Sequence, residues 1–201
     1  MHPFRPQYIM MIRLLTLFLS LFCSAALYGQ TPAQKKLIEE VNKHYEATRR
    51  LVTEIDKERE HPEPIDIDGR RYDVFILDDI SLSHLHGPYP KLNVRLYFEL
   101  LGEESKSPYK FLMATVSKKD VPMHSLYQEY LFVNGELCFA YDHEDCCGET
   151  LKYYKSKEDE YIYSEDPDEE ISPESIDSFN QNARKLSKLF GAMVGMSEFG
   201  I

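Results

Sequence analysis

The chain contains no tryptophan, and its 23 Lys and Arg are outnumbered by 34 Asp and Glu, giving a formal net charge of −11 at pH 7. A protein that grips nucleic acid needs a basic footprint to displace counterions from phosphates, so this balance argues against nucleic acid as a partner. Catalytic signatures are missing as well. The sequence holds no Gly-x-Ser-x-Gly elbow, no His-Glu-x-x-His pair and no Gly-rich phosphate loop, which removes the recognisable hydrolase, zinc-protease and nucleotide-binding sites. The longest apolar run, Leu14 to Phe22, is shorter than the roughly 20 residues a membrane-spanning helix requires.

That run has the form of an export leader. Arg5 and Arg13 precede or flank it, and it ends among the small residues Ser24, Ala25 and Ala26. The expected leader covers residues 1–29, with cleavage after Gly29 and Ala26 as the competing site, and it resembles the leaders of many exported Gram-negative proteins. Met10 or Met11 could serve as the start in place of Met1 without changing the mature chain. Lipid attachment at Cys23 is disfavoured, because Phe22 stands where that pattern wants a small residue. The expected protein is therefore periplasmic or secreted, with no transmembrane segment after cleavage. Losing Arg5 and Arg13 makes it still more acidic. About 172 residues remain, enough for one domain with a proper core.

Thr31-Pro32-Ala33-Gln34 is a helix start, with Thr31 as cap, Pro32 in the first turn and Gln34 placed to complete a capping box. Leu37, Val41, Tyr45, Val52 and Ile55 recur at helical spacing, predicting an amphipathic helix over about 31–59 that His61-Pro62-Glu63-Pro64 ends. The middle, about 70–164, reads as six to seven strands: Tyr72 to Leu77, Leu92 to Leu101, Tyr109 to Val116, Leu126 to Val133, Glu136 to Tyr141, Thr150 to Tyr154 and Glu160 to Tyr163. Asn134-Gly135 is the clearest turn, since a two-residue hairpin needs positive φ at both positions. An acidic linker, 164–171, leads to a second helix, about 173–193, started by Ser172-Pro173 and striped by Ile176, Phe179, Ala183, Leu186 and Phe190. Gly191, Gly195 and Gly200 predict that its last turns fray.

Helix, adjacent strands, then helix, without strand-helix alternation, gives an α+β class: an antiparallel meander with the C-terminal helix packed on the sheet. Both helices are expected on one face, leaving the other as a partly wet aromatic face. Tyr127, Tyr130, Tyr153, Tyr154, Tyr161 and Tyr163 crowd that sheet, and tyrosine offers a rigid apolar ring with a polar tip suited to contacts with a protein or an extended ligand. The leading reading is a non-catalytic binding domain using these tyrosines.

Asp142-His143-Glu144-Asp145-Cys146-Cys147 suggests an alternative, a metal- or redox-responsive protein. His143, Cys146 and Cys147, joined by His84 and His86, would suit zinc. The plainer reading, a solvated acidic loop turned by Gly148, is favoured, and no cofactor is predicted. A third reading is a small enzyme without a recognisable motif. Cys138 lies down the strand from Cys146 and Cys147, on the order of 20 Å away at about 3.3 Å per residue, too far for a disulfide. It is expected to be a buried, unpaired thiol. Intact mass of the exported protein is expected to show a chain starting at Gln30 without a lipid; a mass retaining residues 1–29 would remove the leader reading.

Overall fold

The computed structural model describes residues 31–58, 63–81, 91–102, 105, 107–119, 125–144, 149–157, 160–164 and 172–198. The expected leader, residues 1–29, and the expected acidic linker beyond Ser164 lie outside them. Two helices, α1 (Pro32–Lys57) and α2 (Pro173–Glu198), bracket eight strands: β1 (Ile65–Ile67), β2 (Arg70–Ser81), β3 (Lys91–Leu100), β4 (Tyr109–Lys119), β5 (Ser125–Val133), β6 (Glu136–Glu144), β7 (Glu149–Lys155) and β8 (Glu160–Ser164). The strands form one antiparallel meander in sequence order, with β1 and β8 at its edges.

The capping box of α1 is made as its sequence implies. Thr31 N–H donates to Gln34 Oε1 at 2.8 Å and Gln34 N–H donates to Thr31 Oγ1 at 3.2 Å, satisfying two donors that the first helical turn leaves open. Asn134 and Gly135 adopt φ of 54° and 81° and join β5 to β6. The eighth strand, absent from the expected set, is β1. It pairs with β2 through Asp68 and Gly69, which take φ of 54° and 76°. The Asp-Gly pair, which follows the alternating Ile65 and Ile67, carries the same turn chemistry as Asn-Gly.

Cross-strand register sorts the sheet into two packed faces. Tyr97, Met113, Leu131, Phe139 and Tyr154 stand opposite one another along one row, and Val41, Val52 and Ile55 of α1 pack on them. Leu96, Ala114, Tyr130, Ala140 and Tyr153 make the corresponding row on the other face, covered by Phe179, Ala183, Leu186 and Phe190 of α2. The expectation that both helices share a face is thus corrected. Side chains alternate along a strand, and here each parity carries its own apolar row, so each face needs its own helix.

Bulges explain why the strands alternate only loosely. Met113 pairs with Tyr97 but Phe111 with Phe98, leaving Leu112 extra; Phe139 pairs with Leu131 but Leu137 with Phe132, leaving Cys138 extra. An extra residue shifts the phase of alternation and bends the strand. Leu112 and Met113 consequently pack together under α1, as do Cys138 and Phe139, while Phe111 and Leu137 face α2. Cys138 is a free thiol as expected, though half-buried and not sealed, with Sγ 3.6 Å from the Leu131 carbonyl.

Helix α2 also runs further than the glycines predict, through Gly191 and Gly195 to Glu198. Glycine in a helix interior costs about 1 kcal/mol against alanine, and packing of Phe190, Met193 and Val194 against the sheet offsets it. Phe190 is central here. Its ring stacks on Phe111 at 4.5 Å and 7°, and meets Phe98 at 5.5 Å and Phe75 at 6.0 Å. Phe190→Ala is expected to destabilise the fold by about 3–5 kcal/mol in a denaturant titration, by lost transfer energy plus a residual cavity. Exposed Gln181→Ala on the same helix should stay within about 0.5 kcal/mol; equal effects would disprove the docking.

Candidate functional site

The α1 side of the sheet is wider than the helix that covers it. Beyond the apolar row under α1 lie two further rows: Thr115, Glu129, Tyr141, Lys152 and Tyr163, then Ser117, Tyr127, His143 and Thr150. They form a polar, aromatic shelf beside the helix. Tyr127, Tyr141, Lys152 and His143 are partly exposed, and Tyr163 is 39% exposed.

Glu129 marks the boundary between shelf and core. It is 1% exposed, yet its carboxylate is fully engaged. Tyr45 Oη of α1 donates to Oε2 at 2.5 Å, Tyr127 Oη donates to Oε1 at 2.5 Å, and Arg49 of α1 approaches Oε1 at 3.1 Å. Burial first, and then the hydrogen bonds to Glu129, push the Tyr45 and Tyr127 phenols well above the usual value of 10.0. Burial opposes the Arg49 charge, but attraction to Glu129 together with that of Tyr127 and Tyr45 holds the guanidinium above its ordinary value. Because the Glu129 carboxylate is closed off from solvent, it offers no reacting atom to a ligand. Its chemistry is to fix α1 to β5.

Outside that seal the aromatic groups continue. Tyr127 meets Tyr141 edge-on at 6.5 Å, and Tyr141 lies nearly parallel to His143 at 6.3 Å and 21°. His143 Nδ1 is 3.1 Å from Thr150 Oγ1 on β7. The histidine therefore stands on the shelf, oriented by a hydroxyl.

The six tyrosines singled out from the sequence divide by this geometry. Tyr130 and Tyr153 are buried on the α2 face and Tyr154 under α1, so they have no surface to give a ligand. Each buried phenol is answered by a helix. Asn182 Nδ2 donates to Tyr130 Oη at 3.3 Å and Asn180 Nδ2 to Tyr153 Oη at 3.0 Å, while Tyr154 Oη donates to Asn42 Oδ1 at 3.2 Å. Tyr127, Tyr161 and Tyr163 remain at the surface of the α1 side. Tyr141, a further tyrosine of the same strands, belongs with them, placed there by its register opposite Glu129.

Of the zinc candidates only His143 falls within the described residues; His84, His86, Cys146 and Cys147 lie outside them. The strands leading to both segments finish at the same end of the sheet, with β4 and β5 between them. Among the described residues no group of three or more His, Cys, Asp or Glu is gathered to hold a metal ion, and no helix is long and apolar enough to cross a membrane. Comparisons with protein-family models, curated proteins and solved structures each find no match.

The raised phenols set the sign of an alkaline response. A folded-state value above the unfolded one means that folding holds the proton, so the stabilisation is complete below about pH 10 and declines as pH rises beyond it. Denaturant stability measured from pH 8 to 12 is expected to fall above pH 10. Replacing Tyr45 and Tyr127 together by Phe should make that limb shallower, by up to about 1.4 kcal/mol per pH unit for each phenol removed. An unchanged slope in the double variant would show that these phenols titrate normally.

Proposed function

We propose that the protein is an exported, non-catalytic binding domain whose ligand, a partner protein or another extended molecule, docks on the tyrosine-bearing shelf beside α1. The observation that carries this reading is the cross-strand row Tyr141, Lys152 and Tyr163, flanked by Tyr127 and His143. These side chains stand on neighbouring strands of one sheet, partly exposed, with the Tyr127, Tyr141 and His143 rings held against one another and Tyr127 also by Glu129.

Pre-positioned rings favour binding because little side-chain freedom is lost when a partner arrives. Tyrosine suits the task, since its ring buries apolar area while its hydroxyl keeps a hydrogen bond. The sealed state of Glu129 supports binding over catalysis: this carboxylate, which borders the shelf, is spent on α1 and on Tyr127. Export is supported by the leader alone, and the expected mature chain begins with the helix that borders the shelf.

A photoreactive phenylalanine analogue placed at Tyr163 tests the reading in cells exporting the protein. It is expected to yield a discrete crosslinked species under ultraviolet light, lost when Tyr141 is changed to Ala, with none from the same analogue at Gln181 on α2. Crosslinking that is absent at position 163, or equal at both positions, would count against the shelf.

A further inference from the structure

On the other face, at the opposite end of the sheet, a cleft of about 970 Å³ opens between the Asn134-Gly135 turn, the end of β7 and the middle of α2. Its floor is apolar, made by Phe132, Leu137 and Ala183. Among the described residues its walls carry Lys155, Lys157, Arg184 and Lys188 against one acid, Glu136. Such an excess is unexpected in a chain of net charge −11. Lys155 is already engaged, 2.6 Å from Glu160 Oε1 and 2.9 Å from Asn180 Oδ1. Lys157, Arg184 and Lys188 are exposed and make no ion pair among the described residues.

Arg184 and Lys188 stand four residues apart on α2, so they share a helix face where like charges repel. An intrahelical partner would relieve that, as Glu54 does for Lys57 at 2.7 Å. Here the two cations lean over an apolar floor instead. Apolar walls lower the local dielectric and strengthen any charge interaction made between them. The volume lies near the upper end of small-molecule sites, which combine an apolar lining with a few placed polar groups.

We infer that this cleft is a binding site for an anionic amphiphile, a molecule with an apolar body and a carboxylate, phosphate or sulfate head. The body lies on Phe132, Leu137 and Ala183, and the head meets Arg184 and Lys188, with Lys157 at the rim. Arg184 provides a planar fork that matches two oxygens of such a head, and Lys188 a point charge. The site is separate from the tyrosine shelf in face and in end of the sheet, so either can stand without the other.

Laurate, below its micelle concentration, is the probe, with dodecyltrimethylammonium as its cationic counterpart and inorganic phosphate as the bare head. Calorimetric titration of the mature protein is expected to show saturable laurate binding, no binding of the cation, and no competition from phosphate at equal concentration. Arg184→Glu with Lys188→Glu should weaken laurate at least ten-fold while leaving the thermal melt cooperative, because both side chains are exposed. Lys185→Glu, on the same helix but outside the cleft, should leave it unchanged. The inference is overturned by absent laurate saturation, by equal binding of the cationic chain, by phosphate displacing laurate at equal concentration, or by equal losses in the Lys185 and double variants. Loss of cooperative melting in the double variant would move the test to Ser187→Trp, which narrows the cleft from a half-buried position on α2; unweakened laurate binding there overturns it too.

Discussion

The carboxylate of Glu129 is the fixed point of the α1 side. A charge taken out of water carries a penalty of several kcal/mol, and here it is met by two phenol hydroxyls and a guanidinium. Two of those three groups come from α1, one helical turn apart at Tyr45 and Arg49, so the helix can dock in one register only if it is to satisfy them. Apolar contacts from Val41, Val52 and Ile55 supply the burial but tolerate sliding by a turn; the carboxylate does not. The same logic repeats along the helix. Asn42 accepts from Tyr154, and Asp56 accepts from Tyr97 at 3.1 Å while Arg95 approaches it at 3.4 Å. Each polar group on the inner face of α1 therefore marks a place on the sheet.

The α2 side uses a different balance. Its fixed points are neutral, Asn180 to Tyr153 and Asn182 to Tyr130, and its specificity comes from ring geometry: Phe179 stacks on Tyr153 at 5.5 Å and 11°, Phe190 on Phe111. Aromatic pairs of this kind contribute about 0.5–1.5 kcal/mol beyond their burial. The difference bears on function. Where the helix is held by charge, the sheet beside it is polar and becomes the shelf; where it is held by rings, the exposed cations of α2 are left to line the cleft.

Much of this architecture is legible in the residues themselves. The capping box at Thr31, the Asn134-Gly135 turn, the helical stripes and seven of the strands follow from local chemistry, because each is decided by residues a few positions apart. What is not local is less legible. Strand parity says that Tyr130 and Leu131 point opposite ways, but not that both faces are covered, and bulges at Leu112 and Cys138 interrupt the parity count where it matters. The tyrosines illustrate the limit. β-propensity places them in strands, and only the pairing register separates Tyr153, sealed against Asn180, from Tyr163 at the surface.

The two surfaces assigned a role were hidden for a related reason. Tyr141, Lys152 and Tyr163 are separated in the chain and become a row only through two hairpins. Arg184 and Lys188 look in the sequence like ordinary solvated charges on the outer face of an amphipathic helix, and the acidic composition argues against any anion-binding role. Composition averages over the molecule, whereas a ligand meets only the charges within about a Debye length of its own, roughly 8 Å at physiological salt. An acidic protein with a basic cleft is therefore selective in a way that a basic protein is not: its general surface repels anions, and the attraction is confined to one place.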